Sequence, residues 1–315
     1  MSVYEKQTGV EKLKTCHRIG TYLSFGSIDR AQQYAFESVY EGEQMLNSNI
    51  SAEEKNEVRY QLVKLYHLVA NSYYMIASRT DDEQIHQNSA AKVSEYAGIA
   101  QRMLSKVRYP EKIDGYDPAI PVSVNQLHVI YYMLKGNVDS ALYYNSKAMD
   151  YCLENDLKVK YANMLQNRAN LHITAGQLEE SKKCLIDALA ALDGEEGTDP
   201  LARRLVVTIY ENLAAVEVNT GNFDKGEEYI NKTLELVDED KDFVLICYCY
   251  GGLSEIAEAR GDYKGAFEHY KTYKAYEDSL FNKNKAEQIA ALEVKYAEAK
   301  KHAQYVNGEE ILKAT

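Results

Sequence analysis

The chain repeats itself. Four short stretches say nearly the same thing: GNVDSA from Gly136, GQLEES from Gly176, GNFDKG from Gly221 and GDYKGA from Gly261. Each opens with Gly and a polar residue, places an apolar residue third, and returns to a small residue five positions after the glycine, at Ala141, Ser181, Gly226 and Ala266. The starts lie 40, 45 and 40 residues apart. That is the spacing of stacked two-helix units, none of which can bury its apolar face alone. A chain of this kind works through a surface, not through a catalytic pocket.

The unit over residues 158–193 is the clearest. Ala162, Leu165 and Ala169 recur at helical spacing, Gly176 ends that helix, and a second runs from Glu179 to Leu192 with Cys184, Leu185, Ala188 and Leu192 on one face. The glycine answers a need of the turn: antiparallel helices joined this tightly ask for a left-handed backbone, costly for a residue with a Cβ. The small residue five later sits one turn into the second helix, where a bulky side chain would push the two apart. The layout recurs: Leu205 to Asn219 leads through Gly221 to Tyr229, Ile230 and Leu234, and Phe243 to Arg260 leads through Gly261 to Phe267, Tyr270 and Tyr273.

These residues resemble the tetratricopeptide repeat, with its small and aromatic positions in two helices per unit and its glycine before the second helix. The resemblance covers residues 123–282 in four units. It departs from the family's 34-residue period, and the usual closing proline is missing. What it implies is an all-α chain folded as a right-handed superhelical solenoid of antiparallel helix pairs, with a long C-terminal helix. Only four prolines among 315 residues agree with that helical content.

The N-terminal third, residues 1–107, reads as degenerate helical repeats. Gly26 to Ala31 with Ala35 and Ser38 look like the second half of a first unit. Val58 to Ile76 and Ser89 to Val107 form a long pair whose turn, RTDDEQ, has no glycine. Residues 108–122 are a Pro-containing loop within one array. From Ile289 the apolar positions Leu292, Tyr296, Ala299, Ala303 and Val306 mark a heptad seam, so residues 283–315 read as a capping or coiled-coil helix. The phrase YKAYEDSLFNKNKAEQIAALEVKYAEAKK resembles the end of the repeat regions in Bacteroidetes-type sensor proteins, ahead of a histidine kinase or a LuxR-type module. That resemblance implies a helix that passes a signal onward or makes a homodimer.

Charge and spacing exclude several chemistries. A net charge of −12 opposes binding to a nucleic-acid backbone. No segment has the apolar length of a signal peptide or a membrane span, so the chain reads as cytoplasmic as written, or periplasmic had a leader and anchor been trimmed. Cys16, Cys152, Cys184, Cys247 and Cys249 show no metal or disulfide spacing and read as inert thiols. The seven histidines stand 15 or more positions apart and form no ligand pair, so no metal and no cofactor is expected. His172 is placed to cap local carbonyls. Gly251 and Gly252 form no phosphate loop and read as close helix packing or a groove-facing gap. Tyrosine, at 27 residues, fills the aromatic repeat positions. No catalytic residue is assigned.

In tetratricopeptide-like stacks the first helices line the concave side. Alignment on the turn glycines Gly136, Gly176, Gly221 and Gly261 places there Gln126, Ile130 and Met133; Asn163, Gln166 and Asn170; Thr208, Glu211 and Ala215; and Tyr248, Gly251, Glu255 and Glu258. Amides give way to carboxylates along the series. Asn and Gln offer donors and acceptors to a peptide backbone, and Glu255 or Glu258 would meet a basic side chain. The expected function is a non-catalytic scaffold that binds a peptide or protein segment, as the sensory part of a signalling or transcription-regulatory protein. The alternatives are a repeat protein modulating a response regulator or another enzyme, as repeat-containing phosphatases do, and a free-standing adaptor.

Overall fold

A computed structural model describes residues 7–24, 27–195, 199–237 and 242–279. Among the described residues every regular element is helical. The chain divides into two compact units, Met1–Arg203 and Arg204–Thr315.

The first unit holds α1 (Gly9–Leu23), α2 (Ile28–Asn47), α3 (Ala52–Ala77), α4 (Glu83–Leu104), α5 (Ile120–Leu134), α6 (Val138–Glu154), α7 (Lys158–Thr174) and α8 (Leu178–Ala191). Each packs on the next, and α3 also packs on α1 and α5, so the first helices of successive pairs lie side by side. The expected apolar stripes are largely buried: Ala162, Leu165 and Ala169 on α7, and Leu185, Ala188 and Leu192 of the second helix, with Cys184 half-buried. Ala31, Ala35 and Ser38 of α2 are buried as well. The second unit holds most of α9 (Pro200–Asn219), then α10 (Phe223–Leu236), α11 (Phe243–Ala259) and a helix here called α12, described over 263–279. The turn residue Gly26 and the heptad seam within 283–315 lie outside the described residues. None of the helices described is long and apolar enough to cross a membrane.

The four repeated glycines do the same thing. Their φ values are 66°, 72°, 79° and 78°. In each turn the glycine N–H donates to the carbonyl three residues back, and the next N–H to the carbonyl five back, as Gly221 to Val218 at 3.0 Å and Asn222 to Glu217 at 2.8 Å illustrate. This double bond pattern satisfies carbonyls that a helix end would leave open. The turn between α6 and α7 closes likewise, Leu157 N–H donating to Cys152 at 2.9 Å, but the left-handed position is held by Asp156 at φ 52°. Asp156→Gly is expected to raise stability by about 0.5–1 kcal/mol, read as a higher midpoint in thermal or urea unfolding.

Where glycine is absent, polar caps take over. Ser51 Oγ accepts from Glu54 N–H at 3.0 Å, a Ser-x-x-Glu start, and Asp82 Oδ1 accepts from Gln84 and Ile85 N–H at 2.9 and 3.0 Å. Asp82 thus begins α4 in the turn that lacks glycine. His172 meets the side chain of Gln177, Nδ1 to Oε1 at 2.7 Å, rather than the open carbonyls it was expected to cap; those are already taken by Gly176 and Gln177 N–H.

Two histidines of the first unit are held neutral. Burial, with the Lys64 charge, lowers His17 to about 3, and burial, with the Lys160 charge, lowers His67 to about 4. The unfolded chain takes up these protons below about pH 6.5, the folded chain only much lower. Their contribution is therefore whole above pH 6.5 and lost as pH falls toward 4. Both residues are half-buried rather than buried, which discounts the sum to about 2 kcal/mol by about pH 5. The expected result is a melting midpoint lower by about 5 °C at pH 5 than at pH 7.5, with a shallower slope in a His17→Gln, His67→Gln double variant.

Candidate functional site

Helices α9, α11 and α12 enclose a groove of about 830 Å³ within the second unit, a volume in the range of ligand sites. Its apolar base includes Ala214, Ile230 and Cys249, all buried. The two adjacent glycines of α11 differ in what stands over them. A Cβ on Gly252 would approach Ile230 Cδ1 to 3.0 Å, so this residue lets α11 settle on α10. A Cβ on Gly251 would lie 3.8 Å from Tyr273 Cδ2, ordinary contact, so this residue leaves the groove open. Both glycines line the groove, and Gly252 also seats α11 on α10.

The walls are acidic. Glu211 comes from α9, Glu255 and Glu258 from α11, and Glu277 from α12, while no Lys or Arg lines the groove. Glu277 is occupied: Tyr273 Oη donates to it at 2.5 Å and Lys274 pairs with it, which holds its carboxyl below the usual range. Glu211 differs. Burial alone pushes its carboxyl up, and no cation offsets it. Arg260, at the end of α11, is engaged by Asp224 and Glu227 of α10 at 2.5 Å each. Tyr248, 61% exposed, and Tyr270, 51% exposed, stand at the rim.

The thiols in the groove are poor nucleophiles. Burial, with Glu211 nearby, pushes Cys249 up to about 12, and burial raises Cys247 as well.

Of the residues placed on the concave side by sequence, Glu211, Ala215, Tyr248, Gly251, Glu255 and Glu258 line this one groove. Thr208 does not; its hydroxyl donates to the Arg204 carbonyl at 3.1 Å. Gln126 and Ile130 are half-buried and Met133 exposed on α5; Asn163 and Asn170 are half-buried and Gln166 is buried on α7. These six belong to the first unit and are not among the groove's lining residues. Asn163 accepts a hydrogen bond from Asn167 at 3.2 Å. The wall that sequence reading missed is α12: Tyr270, Tyr273 and Glu277 fall at i, i+3 and i+7, a single stripe, and that spacing was the available signal.

No protein-family model matches the chain, and no curated protein matches it in sequence. Solved structures match it in fold. It is similar to BtubC (BKLC) from P. vanneervenii, with a TM-score of 0.58 and 19% identity over 81% of this chain and 92% of that one. It is similar also to a Rap protein complexed with competence and sporulation factor, with a TM-score of 0.56 and 16% identity over 89% of this chain and 78% of the other. A Signal Transduction ATPase with Numerous Domains from Pyrococcus horikoshii, carrying a tetratricopeptide repeat sensor, matches at 0.56 and 14% identity, over 90% of this chain but 39% of its own. At these identities the likeness establishes the fold: an all-α, tetratricopeptide-type array of helix pairs.

Proposed function

We propose that the chain is a non-catalytic binding scaffold whose second-unit groove receives a peptide or protein segment carrying a lysine or arginine side chain. The observation that carries this is the set of three carboxylates, Glu211, Glu255 and Glu258, around an apolar base with no cation in the lining. Burying an unpaired carboxylate is costly, and a cationic side chain entering the groove relieves that cost at Glu211 while its aliphatic stem covers apolar surface. The Rap neighbour is described in complex with a factor, which supports a ligand-receiving role for this fold. The role within the cell that fits is sensory: a signalling or regulatory protein reading a segment of another protein.

A rhodamine-labelled short apolar peptide with one central lysine, beside the same peptide with norleucine, tests the proposal by fluorescence anisotropy. The lysine peptide is expected to bind about tenfold tighter. The preference should shrink in a Glu255→Gln, Glu258→Gln variant and vanish when Glu211→Gln is added. It should also grow as pH rises through the raised Glu211 titration, since only the ionised carboxylate attracts the cation. Equal affinities for the two peptides would remove the proposal.

A further inference from the structure

The groove is long as well as acidic. Its lining residues on α11 run from Val244 to Glu258, about 21 Å at the helical rise. That is the length of about six extended residues. Along this stripe Cys247, Gly251, Glu255 and Glu258 follow one another at helical steps, so they share a face. The chemistry changes from one end of it to the other.

The Gly251 end is aromatic. A Cβ on Gly251 would lie 3.8 Å from Tyr273 Cδ2, and one turn back Cys247 Sγ is 3.9 Å from the Tyr273 carbonyl oxygen. Tyr270 and Tyr273 are ring neighbours, with centroids 5.8 Å apart and planes tilted by 36°. Glu277, one turn on from Tyr273, is already engaged by Tyr273 Oη and Lys274. Gly251 lines the groove without a side chain, which leaves a notch beside these rings. Such a notch favours another ring, because aromatic pairs gain beyond the area they bury. The far end suits a cation: Glu255 and Glu258 stand about 6 and about 10 Å along the helix from Gly251, and no Lys or Arg in the lining meets them. Glu211 adds a third carboxylate from α9.

We infer, building on the groove's role as the receiver of a lysine-bearing segment, that it selects an extended stretch with an aromatic side chain two residues from the lysine. The ring sits over Gly251 against Tyr273, and the ammonium reaches Glu255 and Glu258. The spacing follows from strand geometry. Side chains two residues apart on an extended chain point the same way and stand about 7 Å from each other, inside the interval from Gly251 to the two carboxylates. At one or three residues apart they point to opposite faces, so one of them leaves the groove. At four they stand about 14 Å apart and overshoot Glu258. Gly251 is therefore a specificity-determining residue: its missing side chain is what admits the ring.

The test uses rhodamine-labelled alanine hexapeptides carrying one phenylalanine and one lysine at spacings of one, two, three and four residues, each in both orders, titrated with the full chain. The better order at a spacing of two is expected to bind about tenfold tighter than any peptide at the other spacings. Replacing its phenylalanine by alanine should cost about tenfold in the parent chain, but only about threefold in a Gly251→Ala variant, whose added methyl takes up part of the notch. The preference for lysine over norleucine should be the same in that variant as in the parent. A lysine preference with no dependence on spacing, tightest binding at one, three or four, or a phenylalanine increment that Gly251→Ala leaves intact would overturn the inference while the cation-binding role stands. Equal affinities of lysine and norleucine peptides at every spacing would remove both.

Discussion

Gly251→Leu is expected to abolish capture of the lysine peptide while leaving the second unit folded and slightly more stable. The two effects have separate causes. Gly251 is in the interior of α11, where glycine costs about 0.5–1 kcal/mol against a residue with a side chain. Its Cβ position has room, with Tyr273 Cδ2 at 3.8 Å, so the backbone loses nothing by the change. A leucine side chain, however, extends into the groove between α11 and α12 and fills the space the ligand needs. Loss of about thirtyfold or more in affinity, with an unchanged or higher melting midpoint, is the expected pair of results. Lost binding together with lost stability would mean that Gly251 serves packing rather than the opening.

Gly226→Leu is expected to have the largest effect on stability, a loss of about 3 kcal/mol or more in urea unfolding. Gly226 is the small residue five positions after Gly221. A Cβ there would stand 2.7 Å from Val218 Cγ2 and 3.6 Å from Ile256 Cδ1, so a leucine has to pry α10 from α9 and from α11 together. Alanine at the same position should cost much less, because a small shift of Val218 accommodates one methyl and the helix gains propensity. A leucine variant as stable as the parent would contradict the close approach of α9 and α11 at this residue.

The turns were legible because their chemistry is local. A left-handed residue at a helix end calls for glycine, and Gly136, Gly176, Gly221 and Gly261 all adopt that backbone. Those turns then set the helical phase, which is why counting back from Gly221 and Gly261 found Glu211, Ala215, Tyr248, Gly251, Glu255 and Glu258 on one groove. Asp156 shows the limit of the same signal: the turn is made without the glycine that announces it, at some cost in backbone strain.

What sequence could not give is long-range. His17 and His67 are 50 positions apart and each reads alone as an ordinary packed or surface histidine. Only the packing of α1 on α3, fixed where Gly20 meets Leu68 and Lys14 meets Glu57, brings their helices together. The contribution of α12 was hidden for a related reason. Tyr270 and Tyr273 fit the pattern of a second helix packing on its partner, and nothing in that pattern says they also face the space over Gly251.

Hydrogen–deuterium exchange of the full chain with and without the lysine peptide tests the central claim most directly, because it reports where the ligand sits. Added protection over α9, α11 and α12, around residues 211–219, 244–258 and 270–277, is the predicted footprint. Protection confined to other helices, or none at a concentration where anisotropy reports saturation, would contradict it.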